Sequence, residues 1–133
     1  MTPVTSVRFL DEAQTYAAAT IGQCADALEE ALRAGLPGES DPARIFVDLP
    51  PGELLLMPSR VTGTPTVKLV TIHHDADRPD PRIKGVHVVF DPVSLAPNVI
   101  MDAAALTVMR TTAVSIVALR AIAPAECDTL VVF

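Results

Sequence analysis

Two periods of apolar residues divide the chain. Between residues 21 and 34 the apolar positions Ile21, Cys24, Ala25, Leu28, Ala31 and Leu32 fall on one face of a helix, Glu29, Glu30 and Arg33 lie off it, and Gly35 follows as a natural stop. The pattern predicts an amphipathic helix covering a sheet. Ahead of it, 7–10 reads as a short strand and Asp11 as the cap of a helix over EAQTYAAA, whose alanines favour that state. After the turn-forming PGESDP at 37–42 the period shortens to two. Segments 44–49, 53–57, 66–72, 85–91 and 98–101 are short and rich in Val, Ile, Leu or Thr, with turn residues at 50–52, 62–65, 77–81 and 92–97 between them. They predict a meander of five strands, six with the N-terminal one. Asp102 then reads as the N-cap of a helix whose apolar run, 106–123, leaves no broad polar side and predicts burial nearly all round. Residues 129–133 read as the first part of a further strand. The fold class is α+β, a mixed β-sheet of about six strands with covering helices.

Composition narrows the function. Half of the 133 residues are apolar, enough for one domain with an ordinary core. The formal net charge of −6, with four per cent aromatic residues and no Trp, gives neither the clustered cations nor the stacking platform that nucleic-acid binding needs. Cys24 and Cys127 are far apart and predict two reduced thiols rather than a disulfide framework. There is no basic-then-apolar leader, and the longest apolar run is interrupted by Arg120, so the sequence reads as soluble and cytoplasmic, without a membrane partner. No CxxC or helical HxxxH spacing occurs, and adjacent His73 and His74 on a strand point to opposite faces. No metal site is expected, and both histidines read as surface or ligand-loop residues.

Arg110 stands out chemically. A guanidinium in a helix buried on all sides needs a partner, because an unpaired charge in the interior costs several kcal/mol. That partner is either one of the chain's own carboxylates or the carboxylate or phosphate of a ligand, to which the guanidinium fork is matched. On the strand at 66–72, Thr66, Lys68, Val70 and Ile72 share one face. Lys68 therefore reads either as an edge lysine whose ammonium reaches water or as a site residue.

LTVMRTTAVSIVALRAIAP at 106–124, preceded in order by LLLMPS at 54–59, TVKLVTI at 66–72 and VVFDP at 88–92, resembles the ornithine cyclodeaminase/mu-crystallin family. The resemblance runs from about Arg44 onward. It implies an NAD(P)-dependent enzyme family of cyclodeaminases, ketimine reductases and amino-acid dehydrogenases, whose members are more than twice this length. It also implies that Arg44, Lys68 and Arg110 clamp the substrate carboxylate and that Thr111 lies near the cofactor diphosphate. Read alone, Arg44 is a solvated residue at a strand start, and Thr111 is equally a helix threonine bonding to its own i−4 carbonyl. Met57, the methionine of the LMP motif, reads as pocket wall or as core, and Thr112 carries no role.

The resemblance divides the chain into a substrate-binding and dimerisation lobe, 1–123, and the opening of a truncated dinucleotide-binding (Rossmann) domain, 124–133. No G-x-G-x-x-G occurs, so NAD or NADP belongs to the full-length family and no cofactor binding is expected of this chain alone. Two departures matter. Leu55 replaces the glutamate of the ornithine-using branch, which disfavours ornithine, and Asp102-Ala103 replaces an Asp-Gly. No general acid or base can be named. The expected function is the N-terminal lobe of an ornithine cyclodeaminase or ketimine reductase-like enzyme acting on amino or imino acids, as a homodimer through its sheet. The alternative is a non-catalytic ligand-binding or dimerisation protein of mu-crystallin type.

Overall fold

The computed structural model describes residues 6–35, 42–60, 63–124, 126–129 and 131. The element order is β1 (Arg8–Leu10), α1 (Glu12–Ala18), α2 (Ile21–Arg33), β2 (Ile45–Leu49), β3 (Gly52–Ser59), β4 (Thr66–His73), β5 (Ile83–Phe90), β6 (Pro97–Asp102) and α3 (Ala103–Ile122). One six-stranded sheet runs β1-β6-β5-β4-β3-β2. Strands β2 to β6 are the expected antiparallel meander, and β1 adds to its far edge parallel to β6, pairing Arg8 with Val99 and Leu10 with Met101.

The helix starts follow from local chemistry. Asp11 Oδ1 accepts from the Gln14 amide at 2.8 Å while Gln14 Oε1 accepts from the Asp11 amide at 3.1 Å, a reciprocal capping box. Thr20 and Gln23 repeat the device at the head of α2. Asp102 caps α3, its Oδ1 accepting from the Ala105 amide at 2.7 Å. Gly35, at φ 81°, ends α2 in the left-handed region that glycine enters without steric cost.

Packing is one-sided. Helices α1 and α3 lie on one face of the sheet, α3 across β4, β5 and β6. Leu55, Val70 and Ala103 form the buried cluster there, with Met57 and Ile72 against it. Contrary to the sequence pattern, α2 does not cover the sheet but packs chiefly on α3. Fully buried Ala25 on α2 and Ala113 on α3 leave room for close helix approach. At the C-terminal end of this pair Arg120 meets Asp26 at 2.7 Å and Glu29 at 3.1 Å. These are exposed pairs, worth at most about 1 kcal/mol each.

The expected all-round burial of the last helix is corrected. Only Ala103, Ala105, Met109 and Ala113 of α3 are buried, whereas Val108, Val114, Leu119 and Ile122 are exposed, Ile122 by 79%. One sheet face and the two helices α1 and α2 meet α3 from one side, and together they cover only part of a cylinder. By length and composition α3 is apolar enough to cross a membrane, though its buried stripe is docked on protein. Of the expected terminal strand, Thr129 and Val131 belong to no strand, and residues 130, 132 and 133 lie outside the described ones.

Among the described residues the opposite face of the sheet carries no helix. Period-two alternation puts Val47, Leu54, Leu56, Leu69, Val86 and Ile100 on it, a continuous apolar surface from β2 to β6. At its β2 edge Ile45 and Val47 are 52% and 40% exposed.

Gly85 stands opposite Val70 in the middle of the sheet. A Cβ there would collide with the Leu69 carbonyl oxygen and come within 2.8 Å of Val70 Cα, both backbone atoms. Gly85→Val is therefore expected to destabilise the fold by about 2 kcal/mol, the usual cost of forcing volume into packed structure. Urea denaturation checks it; an unchanged midpoint would show that the strands part without cost.

Candidate anion site

The register of the sheet aligns one row of side chains across five strands. Met57 of β3 pairs with Lys68 of β4, Lys68 with His87 of β5, His87 with Met101 of β6, and Met101 with Leu10 of β1. Lys68 lies two residues from Val70, so the row shares the helix-covered face with the Leu55–Val70–Ala103 cluster. A lysine and a histidine thus stand side by side between methionines beneath α3.

Lys68 Nζ donates to Thr107 Oγ1 at 3.4 Å, and the Thr107 hydroxyl donates to the Ala103 carbonyl at 2.7 Å. The first bond is long and is the ammonium's one hydrogen bond among the described residues. Burial depresses the Lys68 pKa first, then the charge of Arg110, then that of Arg44. The three cations singled out in the sequence therefore share one electrostatic neighbourhood, Lys68 from β4, Arg110 from α3 and Arg44 from the segment ahead of β2. Among the described residues no ion pair involves any of them. The expectation that Arg110 is buried is corrected: it is exposed, so water solvates it and no internal partner is required.

Thr111 is exposed beside Arg110. Among the described residues its hydroxyl makes no bond to an i−4 carbonyl, whereas Thr112 bonds back to Val108 at 2.9 Å and Ser115 to Thr111 at 3.2 Å. Met57 packs against the core cluster and also pairs with Lys68, so it serves as core and as site border together. Both cysteines are free thiols. Among the described residues no group of three or more His, Cys, Asp or Glu comes together.

His87 was not singled out in the sequence. It is half-buried, and its Nδ1 is closed to solvent without a hydrogen-bond partner. Burial and the Lys68 charge, in that order, hold its pKa below the ordinary histidine value. Only the register reveals it, because a lone histidine in GVHVVF gives no signal until its strand is laid beside Lys68. His73, at the end of β4, takes a structural part, its Nδ1 accepting from the Asp75 amide at 3.1 Å and its Nε2 facing Arg78 at 3.2 Å. A cleft of about 280 Å³ lies at that far end of β4, between the β2–β3 turn and the β4–β5 loop. Its cations are already engaged, Arg78 and Lys84 with Asp80, and Arg82 with the His73 carbonyl.

Residues 6–133 match the model of the ornithine cyclodeaminase/mu-crystallin family. No curated protein matches the chain. Among solved structures it is similar to an archaeal alanine dehydrogenase dimer with bound NAD, at 24% identity and a TM-score of 0.76 over 89% of this chain. It is similar to Thermococcus litoralis Δ1-pyrroline-2-carboxylate reductase in complex with NADH and L-proline, at 22% identity and a TM-score of 0.75 over 89% of this chain. A lysine cyclodeaminase that recognises L-lysine, L-ornithine and L-2,4-diaminobutyric acid aligns at 28% identity and a TM-score of 0.64 over 87%. The chain spans 38% of the length of each.

The depressed pKa of His87 has a direction in pH. The unfolded chain takes up the imidazole proton near the ordinary value of 6.5, the folded chain only at lower pH. Between the two the unfolded state binds more protons, so stability falls as pH drops below about 6.5 and levels off beneath the folded pKa. His87→Gln is expected to flatten that part of the profile, read as urea midpoints at pH 7.5 and 5.5. An identical acid slope in both proteins would place the titration elsewhere.

Proposed function

Because the chain belongs to the ornithine cyclodeaminase/mu-crystallin family, we propose that it is the substrate-binding and dimerisation lobe of an NAD(P)-dependent enzyme acting on small amino or imino acids. In this reading Arg44, Lys68 and Arg110 hold the substrate carboxylate. The observation that carries it is the half-buried Lys68 ammonium, depressed in pKa by burial, Arg110 and Arg44, with no ion-pair partner among the described residues. Like charges on separate elements repel one another in an empty site, and a carboxylate relieves that repulsion at once. The gain fixes orientation as well as affinity, because each donor approaches from its own element.

Leu55 narrows the substrate. It is 8% exposed and packed with Val70 and Ala103, so it offers no counter-charge to a substrate side-chain amine. The reading therefore favours a substrate whose side chain is uncharged. In the family, hydride passes between nicotinamide and the carbon bearing the amino or imino group, and that chemistry is the cofactor's. Thr111, exposed next to Arg110, suits a donor to a phosphate oxygen. The chain has no Gly-rich turn opening a helix to cradle a diphosphate, so its residues do not make a dinucleotide site, and its own share is to bind, orient and neutralise the carboxylate.

The open apolar face supports the dimerisation half of the proposal. A sheet surface lined by Val47, Leu54, Leu56 and Leu69 loses about 25 cal/mol per Å² of favourable burial while it stays in water. A twofold mate presenting the same face covers both copies.

Lys68→Met and Arg110→Met should each weaken binding of an amino- or imino-acid carboxylate such as L-proline about tenfold or more, the worth of a charge-assisted hydrogen bond. Calorimetry decides, and equal affinity in wild type and both variants refutes the clamp. Leu56→Glu should convert a dimer to a monomer in sedimentation equilibrium, because it puts a charge at the centre of the open face. A dimer that survives the substitution uses another surface.

A further inference from the structure

We propose that His87 is a fourth donor to the carboxylate, presenting its Nε2–H beside the Lys68 ammonium. The inference rests on the clamp reading and extends it to a residue on β5.

Lys68 and His87 face each other directly across β4 and β5 on the helix-covered side, and side chains of such a pair stand roughly 5 Å apart at Cβ. Their row neighbours, Met57 and Met101, offer no acceptor worth the name. Nδ1 of His87 is shut away with no hydrogen-bond partner. A proton on that nitrogen would be a buried donor with nothing to receive it, so the neutral ring carries its proton on Nε2. Nε2 makes no hydrogen bond among the described residues and is not closed off as Nδ1 is. The ring is thus fixed as a neutral donor with its N–H toward accessible space.

The charged groups around it agree. Lys68 from β4 faces it directly, and Arg110 from α3 and Arg44 from ahead of β2 press on Lys68 in turn. The carboxylate on β6, Asp102, is engaged in capping α3. A second proton would add a fourth charge to this group, and burial together with Lys68 opposes it. A carboxylate has two oxygens and about four acceptor positions, so three cations do not exhaust it. A neutral N–H beside the ammonium adds direction at the cost of far less repulsion in the empty site than a charged ring would bring. This selects a planar carboxylate over a single-oxygen anion.

Wild type, Lys68→Met, His87→Leu and His87→Gln are titrated with cyclopentanecarboxylate, a carboxylate without an amine, at pH 7.5. Lys68→Met should lose binding. His87→Leu should weaken it about five- to tenfold, the range of one neutral hydrogen bond, and His87→Gln, which keeps an N–H, should recover most of that loss. In parallel, ring ¹⁵N spectra of the wild-type chain should show the Nε2–H tautomer and a shift at Nε2 on adding the carboxylate. Those spectra decide the matter even if His87→Leu does not fold. His87→Leu binding like wild type while Lys68→Met fails, or an Nδ1–H tautomer insensitive to carboxylate, overturns the role of His87 and leaves the clamp standing. A wild-type chain that does not bind the carboxylate overturns both.

Discussion

A sheet has two faces, and this chain supplies helices for one. That asymmetry governs the rest of the structure. The buried cluster is a thin seam of Leu55, Val70 and Ala103 between strands and α3, with small side chains wherever helices must come close. The long apolar helix is buried along one stripe because one sheet face, α1 and α2 all meet it from the same side. The other face carries its alternating Val and Leu residues with no helix over them among the described residues.

The candidate site lies where this asymmetry leaves room. Across the sheet beneath α3 the row is not wholly apolar; Lys68 and His87 interrupt it between Met57 and Met101. A protein selected for stability alone would place leucines there, since a half-buried ammonium held by a single long bond to Thr107 gains little from its surroundings. The fold tolerates it because α3 covers the row only partly, so the ammonium keeps some water.

Much of the architecture was legible in the residues. The change of period at the PGESDP loop marks the shift from helix to meander, and Asp11, Thr20 and Asp102 cap the helices in the structure. What stayed hidden is relative placement. Composition made 106–123 look like an interior helix, but burial is set by how a helix's neighbours surround it, and α1, α2 and one sheet face leave part of it open. The same limit sent α2 to the sheet in the sequence reading, whereas its apolar face found α3. Arg44, Lys68 and Arg110 were legible through their motifs, and in the structure the charges of Arg110 and Arg44 act on Lys68. His87 was not, because strand register is a property of two segments and neither alone contains it.

The parallel edge has a consequence for how the molecule comes to be. β1 precedes the other described elements, yet among the described residues its strand partner is β6, so residues 8–10 pair with 99–101. Every other strand pairs with a neighbour in sequence and closes a short loop. The meander can therefore assemble by local steps, while the edge must wait for the loop between residues 10 and 99 to close, the slow kind of contact. On a ribosome the opening strand emerges first and is ordered last. Leu10 and the capping box that follows it spend synthesis without their sheet.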